Sequence, residues 1–552
     1  MIGTERLRRL GVANSLPVRG ILVVTVLAML AGCVSGPTAA PSSGVAPTSP
    51  PSTVSPTPTV LPSPTAVAIE FPLAVVTGLT NLKGTISLDE LAALADQNKL
   101  LMPCGVDILA PNLKRTDACV DAGKIQAALK GNQRQVALLP PGLVETETKV
   151  LPIAGDGPYG LFGPDLFGDP ESRALPYPVQ GRESVAATLD PAWTAYDASK
   201  VWNMTSIGSL CADRWAAHQA VTLGKGWDWV FGGGTAKYKG KPILNPNKPP
   251  GVSLELVVRP VDTGNAGATP AILKRSDIAI ADHECPIMPN NKWSPNDSGS
   301  ALVFAVPEAE VDSWEKMLGL DAVYLAANHM SDRGVAGIRS TIKILDEHKM
   351  PHTGLGLNLD EGLEPAYLEV AGIKIGIVAW NDVGGVARAD ADTAGVPWIT
   401  KANVDEAVKR ARAGGADLVI CSPQWWGGRE YHDGLLKTQV TQLTWFDGAG
   451  CDHVIGAGTH VAGPLLLRDR GDDVSLVLAS PGNYAFGQDW WQQTQEGVIL
   501  DQTFVGTRMV NVRLHPYVMI LAARPSLLDP EGDGHYVLER IWQGKDSPYY
   551  EP

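Results

Sequence analysis

The 552-residue sequence has no P-loop, no dinucleotide-binding glycine fingerprint and no internal repeat. Nucleotide-driven chemistry and solenoid architectures are therefore disfavoured. It also lacks a surplus of positive charge: 45 Lys and Arg stand against 59 Asp and Glu, for a net charge of −14. So acidic a chain does not offer the broad basic face that duplex nucleic acid requires, and no nucleic-acid partner is expected. The apolar run at the N-terminus, Ile21 to Ala31, is about half the length needed to span a bilayer as a mature helix. Charged residues are only 19% of the chain and hydrophobic ones 44%. The bulk is thus globular, with enough length for two or three domains.

What is present begins with that N-terminal run. Arg6, Arg8, Arg9 and Arg19 precede or abut it, and it leads into Leu30-Ala31-Gly32-Cys33. A basic region, a short apolar stretch and small residues before a cysteine resemble a bacterial lipoprotein signal. The resemblance implies cleavage before Cys33, acylation of that residue, and a lipid-anchored protein on the extracytoplasmic face of the cell membrane. Residues 1–32 are accordingly read as signal peptide and 33–66 as a tether. Between positions 35 and 66 stand nine Pro, seven Ser and six Thr. Such a segment is extended at about 3.1 Å per residue and would hold a folded domain on the order of 100 Å from its anchor. An exported chain can form disulfides. Cys104 and Cys119 bracket one loop-like stretch and form the expected local pair. Spacing leaves the partners of Cys211, Cys285, Cys421 and Cys451 open.

Residues 67–195 read as an α/β accessory domain. Ser87 begins a helix with Glu90 in capping-box position, and Val136 to Leu139 is a strand stopped by Pro140-Pro141-Gly142. The pattern loosely resembles one lobe of a periplasmic binding-protein-like fold. From 196 onward, apolar strand runs alternate with helical spacing. Asp321 to Ala326 is followed by Val335, Ile338, Ile342 and Leu345 on one helix face. A hairpin turns at Ala371-Gly372. A helix capped by Asn403 ends at Gly414-Gly415, and strands follow at 417–421, 453–456 and 475–478. This alternation indicates an α/β fold.

Polar clusters sit at the carboxyl ends of these strands, where open α/β sheets place their sites. They are Asp282-His283-Glu284-Cys285, Asn328-His329, the run from Gln424 to Tyr431, Gly456 to His460, and Gly482-Asn483-Tyr484. Carboxylates and imidazole can ligate metal or move protons. Trp425 and Arg429 offer an aromatic face and a guanidinium for an anionic ligand. In order and spacing, the set resembles the CapA/PgsA family of capsule and poly-γ-glutamate synthesis proteins. The firmest stretch is Leu325-Ala326-Ala327-Asn328-His329-Met330-Ser331-Asp332-Arg333-Gly334. Ser276 to Pro286 and Ser480 to Phe486 match two further family segments.

The resemblance implies a metallophosphatase-like α/β/β/α sandwich over 196–552, with a C-terminal extension. It implies a role in making, exporting or attaching a capsular polymer, with an anionic polymer or cell-wall component and a capsule-synthesis membrane complex as partners. Asp282, Glu284, Asn328 and His460 are the candidate metal ligands, for one divalent ion such as manganese, zinc or iron. Glu284 and His329 are the candidate catalytic groups, and Trp425, Arg429 and Asn483 the candidate binding residues. The departures are equally informative. The family's first Gly-Asp is here Gly208-Ser209, its His-Trp-Gly histidine is Gln424, and only the last histidine of its Gly-His-His-Pro-His survives, as His460. A two-metal centre holds ions about 3.5–4 Å apart through shared charged ligands. A chain without that Asp and two His is expected to have a degenerate site, the alternative being a metal-dependent hydrolase or transferase.

Cys33→Ala should release the protein from membranes or leave an unprocessed precursor, read by fractionation and intact mass. A variant that stays processed and membrane-bound rules out the lipid anchor.

Overall fold

In the computed structural model, residues 69–114, 118–184, 189–244, 256–295, 302–471 and 473–542 are described. The expected signal peptide, Cys33 and the expected tether lie outside them. Two mixed sheets dominate. In the larger, ten-stranded sheet the middle strand β1 (Val201–Cys211) pairs in parallel with β2 (Ile278–His283), and β2 with β3 (Ala322–Tyr324). The smaller, six-stranded sheet carries β4 (Ile373–Asn381), β5 (Leu418–Gln424) and β6 (His453–Ile455) in parallel. The larger sheet continues past β1 with β7 (Asn483–Phe486), parallel to the end of β1, and β8 (Glu496–Val505), antiparallel to its beginning. β8 forms a long hairpin with β9 (Arg508–Ile520).

The layer order follows from which way each strand's side chains point. Side chains alternate across a strand, so Met204, Ile278 and Ile280 of one sheet meet Ile375, Ile377, Leu418 and Ile420 of the other in a shared core. The opposite faces of β1 and β2 present Ile207, Leu210, Ala279 and Ala281 to a second core, which includes Ile338 and Leu345 of helix α1 (Gly334–Glu347). Helices α2 (Lys401–Ala413) and α3 (Lys437–Ala449) cover the outer face of the smaller sheet, where Trp380 stacks on Phe446 at 5.6 Å. The result is the expected α/β/β/α sandwich. The hairpin at Ala371-Gly372 forms as expected, both residues taking positive φ. The cap of α2 is Thr400, whose side chain accepts from the Asn403 N–H at 3.2 Å, not Asn403 itself. Ser87 caps its helix, but Glu90 pairs with Lys83 at 2.7 Å and does not close the box.

Residues 69–195 build two small sheets, of three and four strands. Their cores reach Val201 and Val510 of the large sheet. Thr146 Oγ1 donates to Met509 O at 2.7 Å, Val150 N–H to Asn511 Oδ1 at 3.0 Å, and Thr503 Oγ1 to Phe167 O at 2.7 Å. Arg513 pairs with Asp165. The described residues from Ile69 onward thus belong to one compact unit. Three disulfides form: the local Cys104–Cys119, and Cys211–Cys285 and Cys421–Cys451, whose pairing spacing left open. Among the described residues no helix is long and apolar enough to cross a membrane.

His453 of β6 lies in the core between the sheets, its ring 5.4 Å from that of Phe504. Its Nδ1 accepts from the Leu476 N–H at 3.1 Å, and its Nε2 has no partner among the described residues. Burial, then Arg470, pushes its pKa down from 6.5 to about 3. The unfolded chain therefore takes up a proton that the folded chain refuses. Stability from this group is complete above about pH 6.5 and is lost as pH falls toward 3. Between about pH 7 and pH 5, wild type should lose roughly 1–2 kcal/mol more stability than His453→Gln, measured by urea denaturation. Parallel curves for the two proteins would contradict a neutral buried imidazole.

Candidate functional site

The carboxyl ends of β1, β2 and β5, the amino end of β7, and the loops after β3 and β6 bring the polar clusters together. Gly208 lets this happen at β1: a Cβ there would stand 1.7 Å from Gly482 O. Ser209 N–H donates to that same oxygen at 3.2 Å, seating β7 beside the end of β1. Ser209 Oγ then donates to Asp282 Oδ2 at 2.9 Å. Asp282 is buried, and that burial raises its pKa. Strand alternation turns the next residue the other way. His283 packs its ring 4.7 Å from Trp314, both its nitrogens lack partners among the described residues, and burial lowers its pKa to about 3. It faces the helix-side core and does not join the cluster.

Glu284 returns to the site. It is wholly buried, and neither carboxyl oxygen has a hydrogen-bond partner among the described residues. Burial first, then the charge of Asp282, pushes its pKa well up. His460 Nε2 stands 3.5 Å from Glu284 Oε1 and 3.5 Å from Glu430 Oε1. On its other side, His460 Nδ1 meets Asn483 Oδ1 at 2.8 Å. Asn483 Nδ2 donates to Gln488 Oε1 and Thr494 O, each at 3.0 Å. With the amide so fixed, its oxygen requires a proton on Nδ1, leaving a lone pair on Nε2 toward the two carboxyl groups.

Asn328 and Gln424 form a reciprocal pair across the two sheets. Asn328 N–H donates to Gln424 Oε1 at 2.7 Å, and Gln424 Nε2 to Asn328 Oδ1 at 3.0 Å. His329 Nδ1 meets Asp332 Oδ2 at 2.8 Å, and that carboxylate also accepts from the Phe304 N–H at 2.7 Å. The His329 ring lies 4.4 Å from Phe304, which neighbours Phe486 at 5.7 Å, itself 5.0 Å from His460. Asp282, Glu284, His329, Asn328, His460 and Asn483 all sit in this region. Arg214, Tyr431 and His460 hold positive φ, a strain of order 1–3 kcal/mol each that commonly gathers at ligand sites.

Other expected groups stand elsewhere or act differently. Trp425 is fully buried, donates to Ala479 O at 2.9 Å and packs near Phe446. It is a core residue and offers no binding face. Arg429 is exposed, and among the described residues no side-chain contact ties it to the cluster. Asn483 is consumed in holding His460. Cys211 and Cys285, bonded to each other, supply no thiolate. Sequence reasoning passed over Asp332 and Glu430 as working parts. The i,i+3 spacing of His329 and Asp332 was the available signal for the first. Phe304 had none. Among the described residues, no three His, Cys, Asp or Glu side chains group closely enough to hold a metal ion.

The site thus defines an α/β/β/α sandwich protein with acid, amide and imidazole groups at its strand ends. Residues 260–488 match the family described as bacterial capsule synthesis protein PGA_cap. Over 233 residues the chain is 27% identical to the capsule biosynthesis protein CapA of Bacillus anthracis, covering 41% of this chain and 54% of that one. It is 24% identical over 234 residues to the PGA biosynthesis protein CapA of Bacillus subtilis (strain 168), covering 41% and 58%. This segment is thus similar to the CapA proteins, and the chain spans about half the length of these curated relatives. A 5'-nucleotidase precursor from Thermus thermophilus aligns over 62% of this chain and 57% of its own, at 12% identity and a TM-score of 0.32. The layer order rests on the strand pairings, not on that likeness.

Gln424→Ala should cost about 1–3 kcal/mol in urea denaturation, because it removes both partners of Asn328. A cost below about 0.5 kcal/mol would mean that the reciprocal pair is not formed.

Proposed function

We propose that this chain is a lipid-anchored extracytoplasmic protein of capsule synthesis. It helps to make, export or attach an acidic polymer such as poly-γ-glutamate, within a membrane complex for that task. Its site works without metal. The carrying observation is what replaces the cation. The family's aspartate and histidine are here Ser209 and Gln424, and each donates a hydrogen bond to a remaining candidate ligand: Ser209 to Asp282 and Gln424 to Asn328. Oxygens that would face an ion face neutral donors instead. The donor set does not fit a two-metal centre, which needs several shared anionic ligands.

One observation favours the second reading, a single-metal hydrolase or transferase. The unpartnered oxygens of Glu284 and the free lone pair of His460 are metal-type donors 3.5 Å apart. In that reading Glu284 and His329 would move protons.

Deletion of the protein should lower cell-associated acidic polymer, and wild type but not Cys33→Ala should restore it. Purified wild type incubated with manganese or zinc should retain no stoichiometric metal. Unchanged polymer overturns the role. Tight metal lost on Glu284→Ala overturns the metal-free site and installs the second reading.

A further inference from the structure

Arg214 follows the end of β1 by three residues and is 4% exposed. Its φ is 52°, a conformation that disfavours a side chain with a Cβ. The neighbouring chain accommodates it through Gly487, where a Cβ would stand 3.2 Å from that of Arg214. The guanidinium carbon lies 4.2 Å from the Phe304 ring centre and 5.9 Å from that of Trp490. Its Nε is buried without a hydrogen-bond partner among the described residues, and the charges of Asp213, Glu284 and Asp332 act on the guanidinium from nearby.

A guanidinium stays charged under any ordinary condition. Burying one with a donor left unsatisfied is costly unless an acceptor comes to it. Two of the acids nearby are already engaged. Asp213 accepts from the Arg214 and Ala305 N–H groups, and Asp332 from His329 and the Phe304 N–H. Close by, the indole N–H groups of Trp490 and Trp491 are also buried without partners among the described residues. Tyr431 links them to the cluster, 4.7 Å from Trp491 and 5.8 Å from His460. Three side chains that each carry a buried donor without a partner among the described residues, one of them charged, call for a ligand rich in acceptors. Arginine's planar fork matches the two oxygens of a carboxylate.

We infer that Arg214 is the anion-holding group of this site and binds a carboxylate of an acidic ligand between Phe304 and Trp490. The inference deepens the proposed function and rests on it for the identity of the polymer, though not for the binding itself. The site has exchanged an external cation for one carried by the chain. Trp490 and Trp491 would donate to further oxygens of the same ligand, and the Phe304 ring would exclude water from the pair.

The test is calorimetry on the detergent-solubilised full chain with a γ-linked glutamate hexamer, glutarate and inorganic phosphate as probes. Wild type should bind the hexamer, and Arg214→Gln should weaken binding by about tenfold or more. Arg214→Lys keeps the charge but loses the fork, and should fall between. A thermal melt of each variant reports folding. If Arg214→Gln does not fold, Arg214→Lys decides: weakened binding supports the assignment and wild-type affinity overturns it. No binding by wild type, equal binding by a folded Arg214→Gln, or preference for phosphate over the hexamer also overturns it. Hexamer binding through Arg214 in a protein whose deletion leaves the cell's polymer unchanged would sink the cellular role alone, leaving this assignment intact.

Discussion

The lack of space at the end of β1 is the constraint on which the rest depends. All eleven residues of this strand are buried. Along Val201 to Ser206 it pairs with β8, and from Ser209 to Cys211 with β7. The handover falls at Ile207-Gly208, where the absent side chain of Gly208 admits the Gly482 carbonyl. Because β7 can come so close, Asn483 reaches His460, and Ser209 is free to face Asp282 on the neighbouring strand. The Cys211–Cys285 bridge then clamps β1 to the segment after β2 just beyond these residues. Ser209, Asp282 and Asn483 are thus held by backbone pairing and a covalent link, and the loops that carry Asn328, His329 and His460 close over them.

Charge at the site is arranged by burial more than by pairing. His460 is pushed toward its neutral form by desolvation, and Asp282 and Glu284 are pushed the same way by the same cause. Both trends reduce ionisation. The one strongly basic group that cannot follow is Arg214. This asymmetry gives the cluster its character: Asp282, Glu284 and His460 pushed toward their neutral forms beside one retained positive charge.

Much of the sandwich was legible from periodicity. The runs at 375–379, 418–421 and 476–478 have no charged residue, and they became parallel strands buried on both faces. The long β8–β9 hairpin was not legible. β9 mixes Asn511, Arg513 and His515 with its apolar residues and contains Pro516, which argues against a central strand when read locally. Tertiary contacts reverse that argument: Asn511 and Arg513 are the residues that fasten the 69–195 segment. At the site, residue types could be read but directions could not. Trp425 and Trp426 look alike in sequence, yet the first is core and the second half-buried. His283 stands between two site acids and faces away, a consequence of strand alternation applied residue by residue. The second capping residue failed for a related reason, since Thr400 and Asn403 are both good caps and only the entry path of the chain chooses between them.

The pairing of β1 with β8 also bears on the order in which the molecule assembles. Asn203 and Asp501 touch across this pair and are 298 residues apart in the chain. The central strand therefore stays an open edge until nearly the whole polypeptide is present. Such non-local closure slows folding and leaves strand edges open to wrong partners in the interval. A chain shortened before 496 would lose more than its last strands: β1 would be bare along the half that carries no site residue, and the site itself would rest on an unfinished sheet.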